Sequence, residues 1–134
     1  MAMFNYGPAG SNLSLNGITI SSFGDTDPPI VIEDIDTRAA LKRGTSGGSI
    51  RLDNVTRAKQ LTVNLLPGSD EARQIIALDK ARVDFYGAFN QSGSGESLVF
   101  YSGILTKRGP IGRGGKTNVS DDQFIFEFND SEEI

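Results

Sequence analysis

The sequence predicts a mainly β fold: an antiparallel β-barrel or sandwich with one flanking α-helix (about residues 69–81) and a long extended loop (about residues 37–49). Three observations lead there. Apolar side chains recur with period two in several short segments, as in Leu61, Val63 and Leu65 against Thr62 and Asn64, the spacing that turns one face of a strand inward. Turn chemistry separates those segments, at Asn16-Gly17, Pro67-Gly68 and Gln91 to Gly95. A single segment carries helical spacing, and it lies mid-chain between strand-like runs, an order that suits an antiparallel sheet closed or covered by one helix.

Leu13, Leu15, Ile18 and Ile20 flank Asn16-Gly17, a pair favoured at type I′ turns, so a tight hairpin or a glycine bulge in one strand is expected. Pro28-Pro29 punctuates the chain before Ile30-Val31-Ile32, a short strand. Residues 37–48 hold no sustained period, and strand alternation resumes at Ile50 and Leu52. After the strand ending at Pro67-Gly68, Ser69 has the chemistry of an N-cap, with Asp70 and Glu71 at the positive end of the helix dipole. Ala72, Ile75 and Ile76 fall at i, i+3 and i+4, so Ile75 and Ile76 are the residues expected to pack the helix on the core. Val83, Phe85, Gly87 and Phe89 make the next strand, and Leu98 to Leu105 returns beside it. Phe124, Phe126 and Phe128 share one face of the last strand, and the acidic residues 130–134 are expected to fray.

At 134 residues the chain is read as one domain, 1–134, large enough to bury a core without staples. It has no Cys and no His, which removes disulfides, thiolate and imidazole metal ligands, the commonest general base and the best nucleophile. No catalytic residue, cofactor or metal site is expected. Apolar runs are short and the first basic residue is Arg38, so neither a signal peptide nor a membrane anchor is predicted, and the protein should be made and kept in a cytoplasm. The net charge of −4 gives no overall attraction for nucleic acid.

One stretch, GPIGRGGKT, looks like a phosphate-binding loop. Counting back from Gly115-Lys116-Thr117, the position that needs a glycine is Pro110, which has no N–H to donate. The segment that follows alternates as a strand, whereas a phosphate loop must open a helix. A nucleotide hydrolase using Lys116 is therefore set aside, and the stretch reads as a basic strand-to-strand loop with Lys107, Arg108, Arg113 and Lys116. A barrel binding single-stranded nucleic acid would stack bases on Phe124 to Phe128 beside that loop; three phenylalanines on one strand face fit a core better.

Charge is distributed in blocks. Arg38, Lys42, Arg43, Arg51, Arg57 and Lys59 stand against the single acid Asp53, while Asp25, Asp27, Glu33, Asp34 and Asp36 occupy the preceding segment with no base among them. Opposed patches on one small protein are what head-to-tail association uses, because a heterologous contact joins two different surfaces.

Four stretches, LNGITISSF, LKRGTSGGSIRL, AKQLTVNLLPGSDEARQI and FYSGILTKRGPIGRGGKTNVSDDQFIFEF, together span most of the chain and resemble the tail tube proteins of bacteriophages, particularly of contractile tails. The Trp found in the last strand of many relatives is replaced here by Phe124 to Phe128. The resemblance implies a virion structural protein, assembled in the host cytoplasm into homo-hexameric rings. Those rings would stack into a tube through which DNA is ejected without specific binding, with sheath and baseplate or terminator proteins as partners. The same fold serves type VI secretion tubes and tail tube initiators or terminators. It also implies that the 37–49 stretch reaches neighbouring subunits; from the charge blocks, Arg38, Lys42, Arg43 and Arg51 are expected to meet acids such as Asp34 and Asp36 in those contacts, with Leu41 as the stretch's large apolar residue. A conduit that let its cargo pass would avoid phosphate contacts, which suits an acidic protein.

Overall fold

A computed structural model describes residues 11–53, 57–92 and 95–133. Among them, nine strands and one helix follow in the order β1 (Ser11–Leu15), β2 (Ile18–Ile20), β3 (Ile30–Asp34), β4 (Ala39–Arg43), β5 (Ser49–Asp53), β6 (Lys59–Leu65), α1 (Asp70–Lys80), β7 (Phe85–Gln91), β8 (Glu96–Arg108) and β9 (Asp122–Glu133). Seven strands form one antiparallel sheet in the order β2-β1-β7-β8-β9-β6-β3, and β4 and β5 form a separate two-stranded ladder.

Local chemistry accounts for the elements. Asn16 and Gly17 both have positive φ, 51° and 80°, and Leu15 pairs directly with Ile18, so β1 and β2 meet in the tight hairpin rather than a bulge. Ser69 caps α1 by accepting the Ala72 N–H at 3.3 Å, and Asp70 and Glu71 lie in the first turn. Alternation holds along β6 and β9, where Leu61, Val63, Leu65, Phe124, Phe126 and Phe128 are all buried. The phenylalanine row is core and is therefore not available for stacking bases.

The sheet curls without closing as a continuous barrel, since the edge strands β2 and β3 do not pair with each other. The chain leaving β2 straps across to the far side instead. Phe23 bridges Leu65, the Leu66 N–H donates to the Ser22 carbonyl at 2.8 Å and the Gly24 N–H to that of Asn64 at 3.1 Å. Helix α1 covers part of the concave face, placing Ala72 and Ile75 among Leu13, Leu15, Phe85 and the aromatic row. Ile75 is fully buried, whereas Ile76 is only partly so and packs at the margin. The weight of the helix anchor therefore falls on Ile75. Ile75→Ala should cost about 2–5 kcal/mol in urea unfolding, against a smaller loss for Ile76→Ala; equal losses would place the helix in another rotation.

Two expectations are corrected. Residues 37–49 are not an aperiodic loop: Ala39–Arg43 pairs with Ser49–Asp53, with Leu41 opposite Arg51 and Lys42 opposite Ile50. The acidic end does not fray through residue 133 either, because β9 continues against β8 as far as Leu98 opposite Glu133. Ser131 is buried there and its Oγ donates to the Arg57 carbonyl at 2.8 Å.

Candidate assembly site

The β4–β5 ladder is an arm, with all of its residues exposed except half-buried Ala39. Directly paired residues of an antiparallel ladder point to the same face. Ala40, Lys42, Ile50 and Leu52 therefore share one face, and Ala39, Leu41, Arg43, Ser49, Arg51 and Asp53 the other. Ile50 and Leu52 remain 61% and 52% exposed and Leu41 59%, so the arm offers apolar surface on both faces without a partner to bury it. A two-stranded ribbon alone is marginal in water.

An ion-paired node holds the arm's root. Arg38 Nε donates to Asp34 Oδ2 at 2.7 Å and its Nη2 reaches Glu133 Oε1 at 3.3 Å. Lys59, nearly buried, pairs with Asp34 and lies 3.6 Å from Glu133. The node ties the end of β3, the start of β6 and the end of β9 together just where the arm departs. Arg51 pairs with Asp53 along its own strand at 2.7 Å. Arg38, Arg51 and Asp34 are thus already matched within the chain. Among the described residues Lys42, Arg43 and Asp36 enter no ion pair, so the arm's turn end keeps two cations available for another surface.

The basic loop between β8 and β9 is organised around one acid. Arg113 Nη2 and Arg108 Nη2 meet Asp122 Oδ1 at 2.9 and 3.3 Å, the Gly68 N–H donates to Asp122 Oδ2 at 3.4 Å, and the Arg108 guanidinium lies 5.0 Å over the Phe124 ring. Two of the loop's four cations are therefore engaged, and the strand that follows Lys116 is β9, not a helix.

Buried and clamped carboxylates escaped sequence reading. Asp122 occupies an inward position of a strand, where the alternation predicted an apolar residue. Glu71 was legible only as a helix-start acid, yet its carboxylate accepts the Ser22 N–H at 2.8 Å and the Ser21 N–H at 3.1 Å, fastening α1 to the strap. Burial pushes the Glu71 carboxyl up, but the Ser22 and Ser21 backbone donors outweigh it and hold it below its ordinary value. Burial likewise pushes the Asp121 carboxyl up, but the Thr26 hydroxyl and N–H prevail and lower it. Arg38 first and Lys59 second hold Asp34 low. Each group binds its proton less readily folded than unfolded, so its stabilisation is complete above about pH 5 and is lost as the pH falls through the lowered folded values. Thermal unfolding should show a flat midpoint from about pH 6 to 8 and a steep fall below about pH 4, with Glu71→Gln less stable at pH 7 and shallower in its acid limb; parallel acid limbs would show that Glu71 has no part in it.

A second concave feature lies between the two sheet edges, where the strap and α1 leave the hollow uncovered. The open cleft measures about 1050 Å³; Ile20, Phe23, Pro29 and Phe89 wall it, and Asp25 and Asp27 stand at its rim.

This arrangement is the tail-tube type of fold found in contractile injection systems. No known protein-family model matches the sequence, nor does any curated protein sequence. Solved structures do match. A chain of the anti-feeding prophage cap, the AFP tube terminating cap, superposes with a TM-score of 0.63 at 11% identity, over 100% of this chain and 93% of that one. The sheath/tube terminator of the extracellular contractile injection system PVC in its extended state gives 0.65 at 8% identity, covering 100% and 99%. A chain of the PVC sheath-tube complex in its extended state gives 0.57 at 12% identity, covering 92% and 87%.

Proposed function

We propose that the chain is a structural protein of a contractile phage-type tail, self-assembling into hexameric rings that form or terminate the tail tube, a conduit for DNA. The observation that carries this reading is the arm: an ordered, two-faced ribbon that leaves apolar side chains and two unpaired cations exposed, on a fold shared with tube and terminator chains. Such a ribbon gains stability by lying on a neighbour, and a closed ring repeats each modest contact around its axis. Lys42, Arg43 and Leu41 are the arm's contributors, with Arg38, Arg51, Asp34 and Asp36 shaping its root and flank. Sheath and baseplate components are the remaining partners, and the virion tail is the location.

A terminator is favoured over a tube subunit by one comparison. The two terminator chains match over the full length, at 0.63 and 0.65, and the sheath-tube chain at 0.57 over 92%. Negative-stain microscopy of the purified protein separates them: single rings indicate a terminator, stacked tubes a tube subunit. A protein that stays monomeric at every concentration overturns both. Deleting residues 42–47 should leave a folded sheet by circular dichroism that no longer forms rings; rings at the wild-type concentration would show that the arm is dispensable.

A further inference from the structure

The arm's apolar face and the open cleft are complementary, and we propose that the arm of one copy seats in the cleft of a second copy. This inference rests on the self-association proposed above and names the surface that receives the arm. The ribbon face carrying Ala40, Ile50 and Leu52 is apolar, with Lys42 beside it at the turn end and Arg43 next to Lys42 on the other face. The cleft repeats this pattern with opposite sign: apolar walls from Phe23, Pro29 and Phe89, and Asp25 and Asp27 at the rim. Neither rim acid has a cationic partner among the described residues, and neither do Lys42 and Arg43.

The match is specific to these cations. Arg38 and Arg51, the arm's other bases, are occupied by Asp34 and Asp53 of their own chain. The arm leaves its own chain away from the acidic rim. The node of Arg38, Asp34, Lys59 and Glu133 fixes the departure point at the Lys59 end of the β3–β6 pair, whereas the acidic rim lies beyond the opposite end, before Ile30. The arm and the cleft are different surfaces, so their contact is heterologous, the kind that propagates from copy to copy.

Two experiments test it on the full chain. In the first, Asp25→Lys with Asp27→Lys should raise the concentration needed for assembly at least ~10-fold, as should Lys42→Asp with Arg43→Asp. Mixing the two variants should restore assembly to within ~3-fold of wild type, because opposite charges meet in both of the contacts between unlike variants. Assembly of the acid-reversed variant at the wild-type concentration overturns the cleft while leaving self-association standing. A wild-type protein that never assembles fails the proposed function instead. The second experiment uses the absence of native cysteine. Under mild oxidation, a mixture of Ile50→Cys and Thr19→Cys proteins should form a disulfide-linked pair at least ~10-fold faster than Ile50→Cys with Ala81→Cys, since a disulfide needs Cα atoms within about 7 Å. Equal rates overturn the seat. So does rapid intramolecular cross-linking in Met3→Cys/Thr19→Cys, which would give the cleft to the chain's own N-terminal segment.

Discussion

Phe126→Ala should lower stability by about 3–5 kcal/mol, the usual cost of emptying an aromatic site in a core that cannot collapse around it. Phe126 is fully buried on β9 and touches rings on three sides: Phe85 edge-on at 5.0 Å between centroids, Phe124 at 6.5 Å and Phe128 at 6.2 Å. Its backbone sits between Leu61 and Leu105, so the strand on either side is fixed by ladder bonds and cannot move in. The row is packed so closely that Gly103, opposite Phe128, leaves no room for a methyl group; a Cβ there would stand 2.3 Å from the ring. Denaturant unfolding measures the loss, and Phe126→Leu should recover part of it by refilling much of the emptied volume. A loss below about 1 kcal/mol for the alanine variant would mean that the rings do not form the centre of the core.

Gly87→Ala should cost about 3 kcal/mol, at the upper end of ordinary overpacking. Gly87 lies opposite Leu15 where β1 pairs with β7, and an added Cβ would approach the Ser14 carbonyl oxygen to 2.4 Å and Leu15 Cδ2 to 2.8 Å. The first of these obstacles is backbone within a hydrogen-bonded ladder, which side-chain rotation cannot relieve. Accommodation requires β1 to lift from β7, carrying the β1–β2 hairpin with it. Gly17→Ala, by contrast, meets no atom within 4 Å, and its cost comes only from the positive φ of 80°. Urea titrations of the two variants should therefore rank them in that order, and the reverse ranking would show that β1 is loosely seated.

The sheet strands were legible because burial is one-sided. Where Leu61, Val63 and Leu65 or Phe124, Phe126 and Phe128 face inward, the period appears in the letters, and Ser69, Asp70 and Glu71 announce the helix by the chemistry of its first turn. The arm was legible only in part, since neither of its faces is buried in the chain itself. Without a core to select for, alternation fails at Leu41 and Lys42, and strand pairing is left to the backbone. The charge blocks did not reveal which of these groups pair within the chain. Arg38 was expected to meet acids of a neighbouring subunit, and within the chain folding brings Glu133, 95 residues away, into contact with it and with Lys59. The cleft had no signal at all, because its walls come from strands that are neighbours only after the sheet has curled.

The strand order has a consequence for when this molecule becomes able to meet another. In β2-β1-β7-β8-β9-β6-β3, the last strand of the sequence lies inside the sheet, with β8 on one side and β6 on the other. A chain emerging from the ribosome can pair β2, β1, β7 and β8 as one leaf and β6 with β3 as another, bridged by the strap at Phe23, but no strand fills the gap between the leaves until residues 122–133 arrive. Those residues bring Phe124, Phe126 and Phe128 for the shared core and Glu133 for the root of the arm. Translation thus acts as a timer: a partly made chain has two half-sheets and an arm root that still lacks its Glu133 contacts, and the sheet is complete only when the closing strand slides in between.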